Sequence, residues 1–262
     1  MQPLTAWFED FLKSENRRQA ITVVGSGGKT SLIWRLAASL AAPPVTFGAP
    51  SVARRTILVT PTTKMFVPSG PPKPYDLYYD GRNNKRRDGA DFPNPVPGIT
   101  LAGMFNETSG KLESLPLEVL AKISPRYDFS LMEGDGAREL PLKAWNDDEP
   151  VIPAFTDLTI GVLPLWPLGL PVSEKIIHRL PLFLSLTGAA QGEALKPEHI
   201  TRLVMGLFAK AQGKKILFFN QIEDDAAFMQ AEETAALLTP EFRGELCRIL
   251  AGSVKQNTLR VI

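Results

Sequence analysis

The sequence predicts an α/β fold, three layers deep, with a mostly parallel sheet and helices on both faces. Three observations carry that expectation. Short β-branched runs alternate with helical patterns along most of the chain, which calls for crossover connections and hence parallel strands. The first run, Ile21-Thr22-Val23-Val24, breaks into Gly25-Ser26-Gly27-Gly28-Lys29-Thr30-Ser31 and then into a helical pattern. Reactive residues stand at the ends of later apolar runs, where open α/β sheets bind their ligands.

Taken in order, Leu4, Trp7, Phe8, Phe11 and Leu12 recur at helical spacing and predict a short amphipathic helix. Residues 20–24 are apolar enough for a central strand buried on both faces. Leu32, Ile33, Leu36 and Leu40 mark one face of a helix that ends before Pro43-Pro44. A second strand over 54–60 arrives at Pro61-Thr62-Thr63-Lys64-Met65. Residues 66–98 then change character. Prolines crowd in, with Tyr75, Tyr78, Tyr79 and the basic run Lys85-Arg86-Arg87, and they predict an irregular surface excursion holding at most a short hairpin. The basic run is expected to be a solvated loop close to the site.

Order returns with a strand over 99–103, a turn at Ser109-Gly110-Lys111 and a helix over 116–123, with Pro116 tolerated in its first turn. The strand 127–132 stops at Glu133-Gly134-Asp135-Gly136-Ala137, and the strand 158–163 runs into a bend rich in proline. Residues 173–180 predict a short helix stopped by Pro181. Ile200, Leu203, Val204, Leu207, Phe208 and Ala211 form a helical stripe opened by Pro197-Glu198. Residues 215–220 are the last strong strand, with two helical patterns after it. No repeat or linker divides the chain, so residues 1–262 are expected to form one domain, with 200–262 as a semi-separate C-terminal helical extension.

Bulk composition narrows the function. With 29 Lys and Arg against 28 Asp and Glu, no basic surplus advertises a nucleic-acid partner. The single cysteine, Cys247, excludes an internal disulfide or a cysteine-based metal cluster within one chain and reads as a small apolar helix residue. Residues 1–13 lack a signal-length apolar run, and no window approaches the ~18 apolar residues of a membrane span, so a cytoplasmic protein without membrane contact is expected.

The glycine segment carries most of the chemistry, and with it the fold expected is P-loop NTPase-like. Gly25, Gly27 and Gly28 let backbone N–H groups converge on an anion, and the helix that follows adds its own unpaired N–H groups and positive dipole end. Lys29 would reach the outer phosphates, the Thr30 hydroxyl would sit on Mg²⁺, and Ser26 and Ser31 complete the cradle. A glycine-rich turn alone would explain the glycines but not Lys-Thr at the helix start. The usual G-x-x-x-x-G-K-[ST] spacing wants glycine at Val23, and the shorter G-x-G-G-K-T present here resembles the phosphate loops of Mur-type ligases.

Mg²⁺ takes hard oxygen ligands, so an acid at a neighbouring strand end is required. Glu133 is the expected metal ligand, with Asp135 as a second ligand or the group that orients the attacking nucleophile. Thr62, Thr63 and Lys64 resemble a segment that senses the γ-phosphate; a capped helix start explains them equally well. Lys143 is placed to reach the same pocket, and His178 and Arg179 are candidates around it, a structural histidine being the plainer alternative. His199 is given no role. Asn220-Gln221-Ile222-Glu223-Asp224 is similar to the Asn-Lys-x-Asp element that reads guanine, with Gln221 and Glu223 replacing its Lys and Asp, so Asn220 is a nucleotide-binding candidate or a strand-end cap.

Several of these segments together resemble the YqeC-type proteins, accessory factors of selenium-dependent molybdenum hydroxylases. They are 24–31, Val59-Thr60-Pro61-Thr62-Thr63-Lys64-Met65, Glu133-Gly134-Asp135-Gly136-Ala137, Pro141-Leu142-Lys143 with Glu149-Pro150-Val151-Ile152-Pro153, and His178-Arg179. The resemblance spans residues 20–225, and the Lys143 to Pro153 segment is its most specific part. This chain departs from the pattern at Pro61, where a third Thr is usual, at Gly134, where alanine is, and at the strand end beginning with Asn220. The Glu-Gly-x-Gly strand end is also similar to that of dethiobiotin-synthetase-like proteins. What the resemblance implies is a role in maturing a molybdenum or selenium cofactor, with a molybdenum hydroxylase or its cofactor as partner. The expectation is therefore an NTP hydrolase or phosphotransferase that uses Mg²⁺ and ATP or GTP. Two alternatives stay open: a nucleotide-gated module that docks on the hydroxylase without turnover, and an ATP-dependent ligase or kinase acting on a small molecule.

Overall fold

The computed structural model describes residues 1–14, 18–43, 54–68, 71–83 and 91–262. In chain order its strands are β1 (Gln2–Pro3), β2 (Gln19–Gly25), β3 (Thr56–Pro61), β4 (Lys64–Phe66), β5 (Leu77–Asp80), β6 (Gly98–Asn106) and β7 (Lys111–Glu113). There follow β8 (Phe129–Glu133), β9 (Leu142–Lys143), β10 (Leu158–Pro164), β11 (Ile177–His178), β12 (Lys214–Asn220), β13 (Arg248–Ser253) and β14 (Thr258–Val261). The helices are α1 (Leu4–Lys13), α2 (Lys29–Ala41), α3 (Leu117–Ile123), α4 (Leu180–Thr187), α5 (Pro197–Phe208), α6 (Asp225–Ala236) and α7 (Pro240–Glu245).

Twelve strands make one sheet, ordered β1-β14-β13-β12-β10-β2-β8-β3-β6-β7-β4 with β5 also on β6. Its seven middle strands, β13 to β6, are parallel. Every residue of β2 is buried, as a central strand covered on both faces must be. Side chains alternate between two cores. Ile21 and Val23 pack with Leu4, Phe8 and Leu12 of α1 and Leu32, Ile33 and Leu36 of α2. Val24 points the other way, into Leu203, Val204 and Leu207 of α5 with Leu217 and Phe219 of β12. A smaller cluster seats Val119, Leu120 and Ile123 of α3 against Leu58 and Tyr127. Layers of helix, sheet and helix follow, as the alternating sequence pattern predicts. No helix among the described residues is long and apolar enough to cross a membrane.

Three local expectations need correcting. The helix expected over 173–180 is absent: residues 177–178 form β11, and the helix begins at Leu180. Pro181 opens α4 rather than stopping a helix, because Arg179 takes a left-handed conformation (φ 61°) just before it and proline's fixed φ suits a first turn. The excursion 66–98, expected to hold at most a short hairpin, holds none among its described residues, and its strand β5 adds parallel to β6. The run Lys85-Arg86-Arg87 lies outside the described residues. Strand β12 is not the last, since the two C-terminal helices are followed by β13, parallel to β12, and β14, which turns back antiparallel and pairs with β1. Cys247 lies just beyond α7, partly buried against the first core, and burial pushes its thiol pKa up.

Candidate functional site

Strand order brings the chemistry together. β2 lies between β8 and β10, so the glycine loop emerges between the strand ends carrying Glu133 and Pro164. Val23 is in register with Glu133, and Gly25 with Val162. Ser26 N–H donates to the Val162 carbonyl (2.9 Å) and its hydroxyl to that of Pro141 (2.7 Å), which pins the loop between the two strands. Gly25 and Gly28 have φ of 105° and 126°, and a Cβ on either would meet Val162 O at 2.2 Å or Asn220 Nδ2 at 2.3 Å. No other residue fits at these two positions. Among the described residues no side chain caps helix α2, which starts at Lys29, so its first N–H groups have no side-chain acceptor there.

Lys29 is nearly buried. Its Nζ donates to Gly25 O (2.7 Å) and lies 3.3 Å from Asp135 Oδ1 and 3.9 Å from Glu133 Oε1. The Thr30 hydroxyl donates to Glu133 Oε2 (2.7 Å). Loop, helix start and acid thus form one connected unit. Burial pushes the Glu133 carboxyl pKa up, and the Lys29 ammonium and the Thr30 hydrogen bond only partly oppose it.

Asp135 differs from what was expected of it. It has no exposed surface. Its carboxylate accepts from Gly25 N–H (3.1 and 3.2 Å) and Trp145 Nε1 (2.5 Å), and faces Lys29 and Lys143 (3.1 Å). A carboxylate so enclosed is not placed to take a second position on a metal or to orient an attacking group. It belongs to a buried ionic cluster that continues through Lys143. Lys143, fully buried, reaches Glu149 Oε2 at 2.8 Å, and Arg179 Nη1 meets the same oxygen at 2.8 Å. Burial alone would raise the Glu149 carboxyl, but hydrogen bonds from Arg179 and Lys143 outweigh it and hold the pKa below the ordinary carboxylate value. His178 is in register with Lys143 across the β9–β11 pair, and burial lowers its imidazole pKa. Neither Lys143, His178 nor Arg179 lines the cavities beside the loop.

Three further candidates are spent within the protein. Thr62 donates its hydroxyl to Val151 O (2.6 Å) and its N–H to Glu133 O (2.9 Å), so it ties strand ends together. Asn220 donates to Gly27 O (2.7 Å) and accepts from Val254 N–H (3.0 Å), bracing the loop against the end of β13. Lys64 pairs with Glu113 on β7 at 2.8 Å. Thr63 Oγ1 is buried with no hydrogen-bond partner among the described residues. Nearby, Asp224 caps α6 through Ala227 N–H (2.8 Å), and Ser253 donates to Glu223 (3.1 Å). His199, given no role, accepts from Lys196 N–H at the start of α5.

Two cavities flank the loop and share Gly28, Ser31, Trp166 and Gln221. The larger, about 1200 Å³, opens toward Trp34, Arg35, Glu223, Asp224 and Lys255. The smaller, about 550 Å³, holds Lys29, Thr30 and Glu133, with Lys64, Lys111 and Arg138 around it. Trp145, Glu149, Trp166, Lys111 and Arg138 were not singled out as site residues from the sequence. For Glu149 a signal existed, since it opens the specific Glu-Pro-Val-Ile-Pro segment. The others come from different strands and turns, and only the fold collects them.

A family model described as "YqeC protein" matches residues 21–181. The chain is also similar to a protein of Escherichia coli (strain K12) named "Uncharacterized protein YqeC", 29% identical over 257 residues, which covers 94% of this chain and 91% of that one. The matched span includes the loop, Glu133 and the whole ionic cluster from Asp135 to Arg179, and stops short of Asn220.

Proposed function

This chain belongs to the YqeC family, and from that premise we propose that it is a cytoplasmic protein that binds Mg²⁺ and a nucleoside triphosphate, ATP or GTP. Hydrolysis or phosphoryl transfer at that site would serve the maturation of a molybdenum hydroxylase or its molybdenum or selenium cofactor, the client that the family resemblance implies. The observation that carries the nucleotide site is the contact of Thr30 Oγ1 with Glu133 Oε2 (2.7 Å), with Lys29 beside both.

A hydroxyl and a carboxylate are hard oxygen donors, the set that Mg²⁺ prefers over nitrogen or sulfur. An Mg²⁺ held by these two groups would take its other ligands from phosphate and water. When bound, Mg²⁺ supplies charge neutralisation on the phosphates. The chain's own groups do the rest. Loop N–H groups and the start of α2 hold the phosphates, and Lys29 trades its contacts with Gly25 O and the acids for a phosphate oxygen. The nucleoside lies on the side of the larger cavity, whose Arg35 and Lys255 balance Glu223 and Asp224 and whose Trp34 and Trp166 suit a flat base.

Calorimetry of Mg·ATP and Mg·GTP against wild type and Lys29→Ala tests this. One nucleotide is expected to bind wild type, and the variant, its fold verified by circular dichroism, to bind about 10- to 100-fold more weakly, the loss of one charge-assisted contact. Equal affinity in both would refute a phosphate role for Lys29.

A further inference from the structure

The two cavities beside the loop differ in charge. In the larger, two cations face two acids. In the smaller, Lys29, Lys64, Lys111 and Arg138 face only Glu133 and Glu139. Glu133 is engaged by Thr30 and Lys29, and Lys64 by Glu113. Lys111 and Arg138, by contrast, have no ion-pair partner among the described residues. Lys111 sits on β7 with its ammonium 4.3 Å from the centre of the Phe66 ring, which holds it on the cavity wall. Arg138 and Glu139 are consecutive non-glycine residues with φ of 49° and 63°. Backbone held in that region costs free energy and collects at ligand sites. Met65, Phe66 and Leu140 add apolar wall between the charges.

We propose that the 550 Å³ cavity binds a second ligand, a small organic anion bearing a carboxylate or phosphate, held by Lys111 and Arg138 while the nucleotide occupies the loop. This rests on the nucleotide site proposed above, and it makes that site one of transfer to a bound acceptor rather than of hydrolysis alone. An ionised acceptor oxygen forms its bond to the γ-phosphorus as the β–γ bridging P–O bond breaks, and the nucleoside diphosphate leaves with the electron pair. Such an acceptor has no proton to lose, so the site needs no dedicated base.

The test begins with calorimetric titration of the magnesium complex of non-hydrolysable adenylyl imidodiphosphate, which fills the γ-phosphate position. Inorganic phosphate and succinate are then titrated separately into the saturated complex, the two arms separating a phosphate from a carboxylate ligand. One of them is expected to bind, with affinity about tenfold lower in Lys111→Gln and in Arg138→Gln while nucleotide affinity stays within about twofold. Binding of neither, or binding unchanged in both variants, overturns the proposal. Failure of the nucleotide itself to bind, with ATP and GTP alike, would refute the nucleotide site instead. The anion site is then judged in nucleotide-free protein, where dependence on Lys111 and Arg138 supports it and its absence overturns it.

Discussion

Glu133 and Asp135 stand two residues apart at the end of one strand, yet their surroundings assign them opposite tasks. Glu133 lines the small cavity and is bonded to Thr30 at the start of α2. Asp135 is sealed behind it by Gly25 N–H, Trp145 and two lysines. The first acid faces an open cavity; the second ties the loop to the strand end behind it. What separates them is Gly134, where a Cβ would lie 2.6 Å from Val24, so the chain can press against β2 and turn the next carboxylate inward. An acid at a strand end is therefore not assigned to catalysis by position alone; the cations that meet it decide.

That contrast can be broken from the buried side first. Lys143→Met leaves Asp135 and Glu149 facing each other with less compensation, and should cost about 3–5 kcal/mol in urea unfolding. A cost below about 1 kcal/mol would mean that the cluster does not hold the fold. On the cavity side, Glu133→Gln keeps the Thr30 hydrogen bond and removes a carboxylate that burial already disfavours. Its stability should be unchanged or raised, while Mg²⁺-dependent phosphate release falls about 100-fold; unchanged turnover would make Glu133 a turn residue. A milder effect comes from Glu149, whose folded pKa lies below its ordinary 4.5. The stability it contributes is present above that value and disappears as pH falls through the lower, folded one. The melting-temperature gap between wild type and Glu149→Gln should be constant from neutral pH down to about 5 and close below that. A gap that widens on acidification would contradict the geometry. Smallest of all, Trp166→Ala, at a side chain half exposed between the cavities, should weaken nucleotide binding about fivefold, with phosphate-analogue binding unaffected.

Much of the fold was legible because the central strands are short apolar runs, β2 ending at the glycine loop and β8 at Glu133, and because α2 and α5 carry unbroken apolar stripes. Strand β13 was missed because its apolar run is only Ile249-Leu250-Ala251 and follows a short helix, where pairing with β12 makes it a strand. Pro181 was misread because a proline reads as a stop or a start according to the conformation before it, and Arg179's left-handed φ is set by its surroundings. In the site, the meeting of Lys29, Thr30 and Glu133 was legible from local order and strand ends. The burial of Asp135 was not, since it depends on Trp145 and Lys143, which reach it only once β9 is in place. Asn220 and Thr62 had the right position, but their hydrogen bonds go to the loop and the neighbouring strand ends.

The assignment of Glu133, and not the buried ionic cluster, to the metal is tested most directly with Mn²⁺ as a spectroscopic stand-in for Mg²⁺. Its affinity for the protein saturated with adenylyl imidodiphosphate is read by electron paramagnetic resonance in wild type, Glu133→Gln and Glu149→Gln. Loss of one carboxylate ligand should weaken Mn²⁺ at least about tenfold in Glu133→Gln, while Glu149→Gln stays within about twofold of wild type. Equal Mn²⁺ affinity in wild type and Glu133→Gln would contradict the assignment of that carboxylate to the metal.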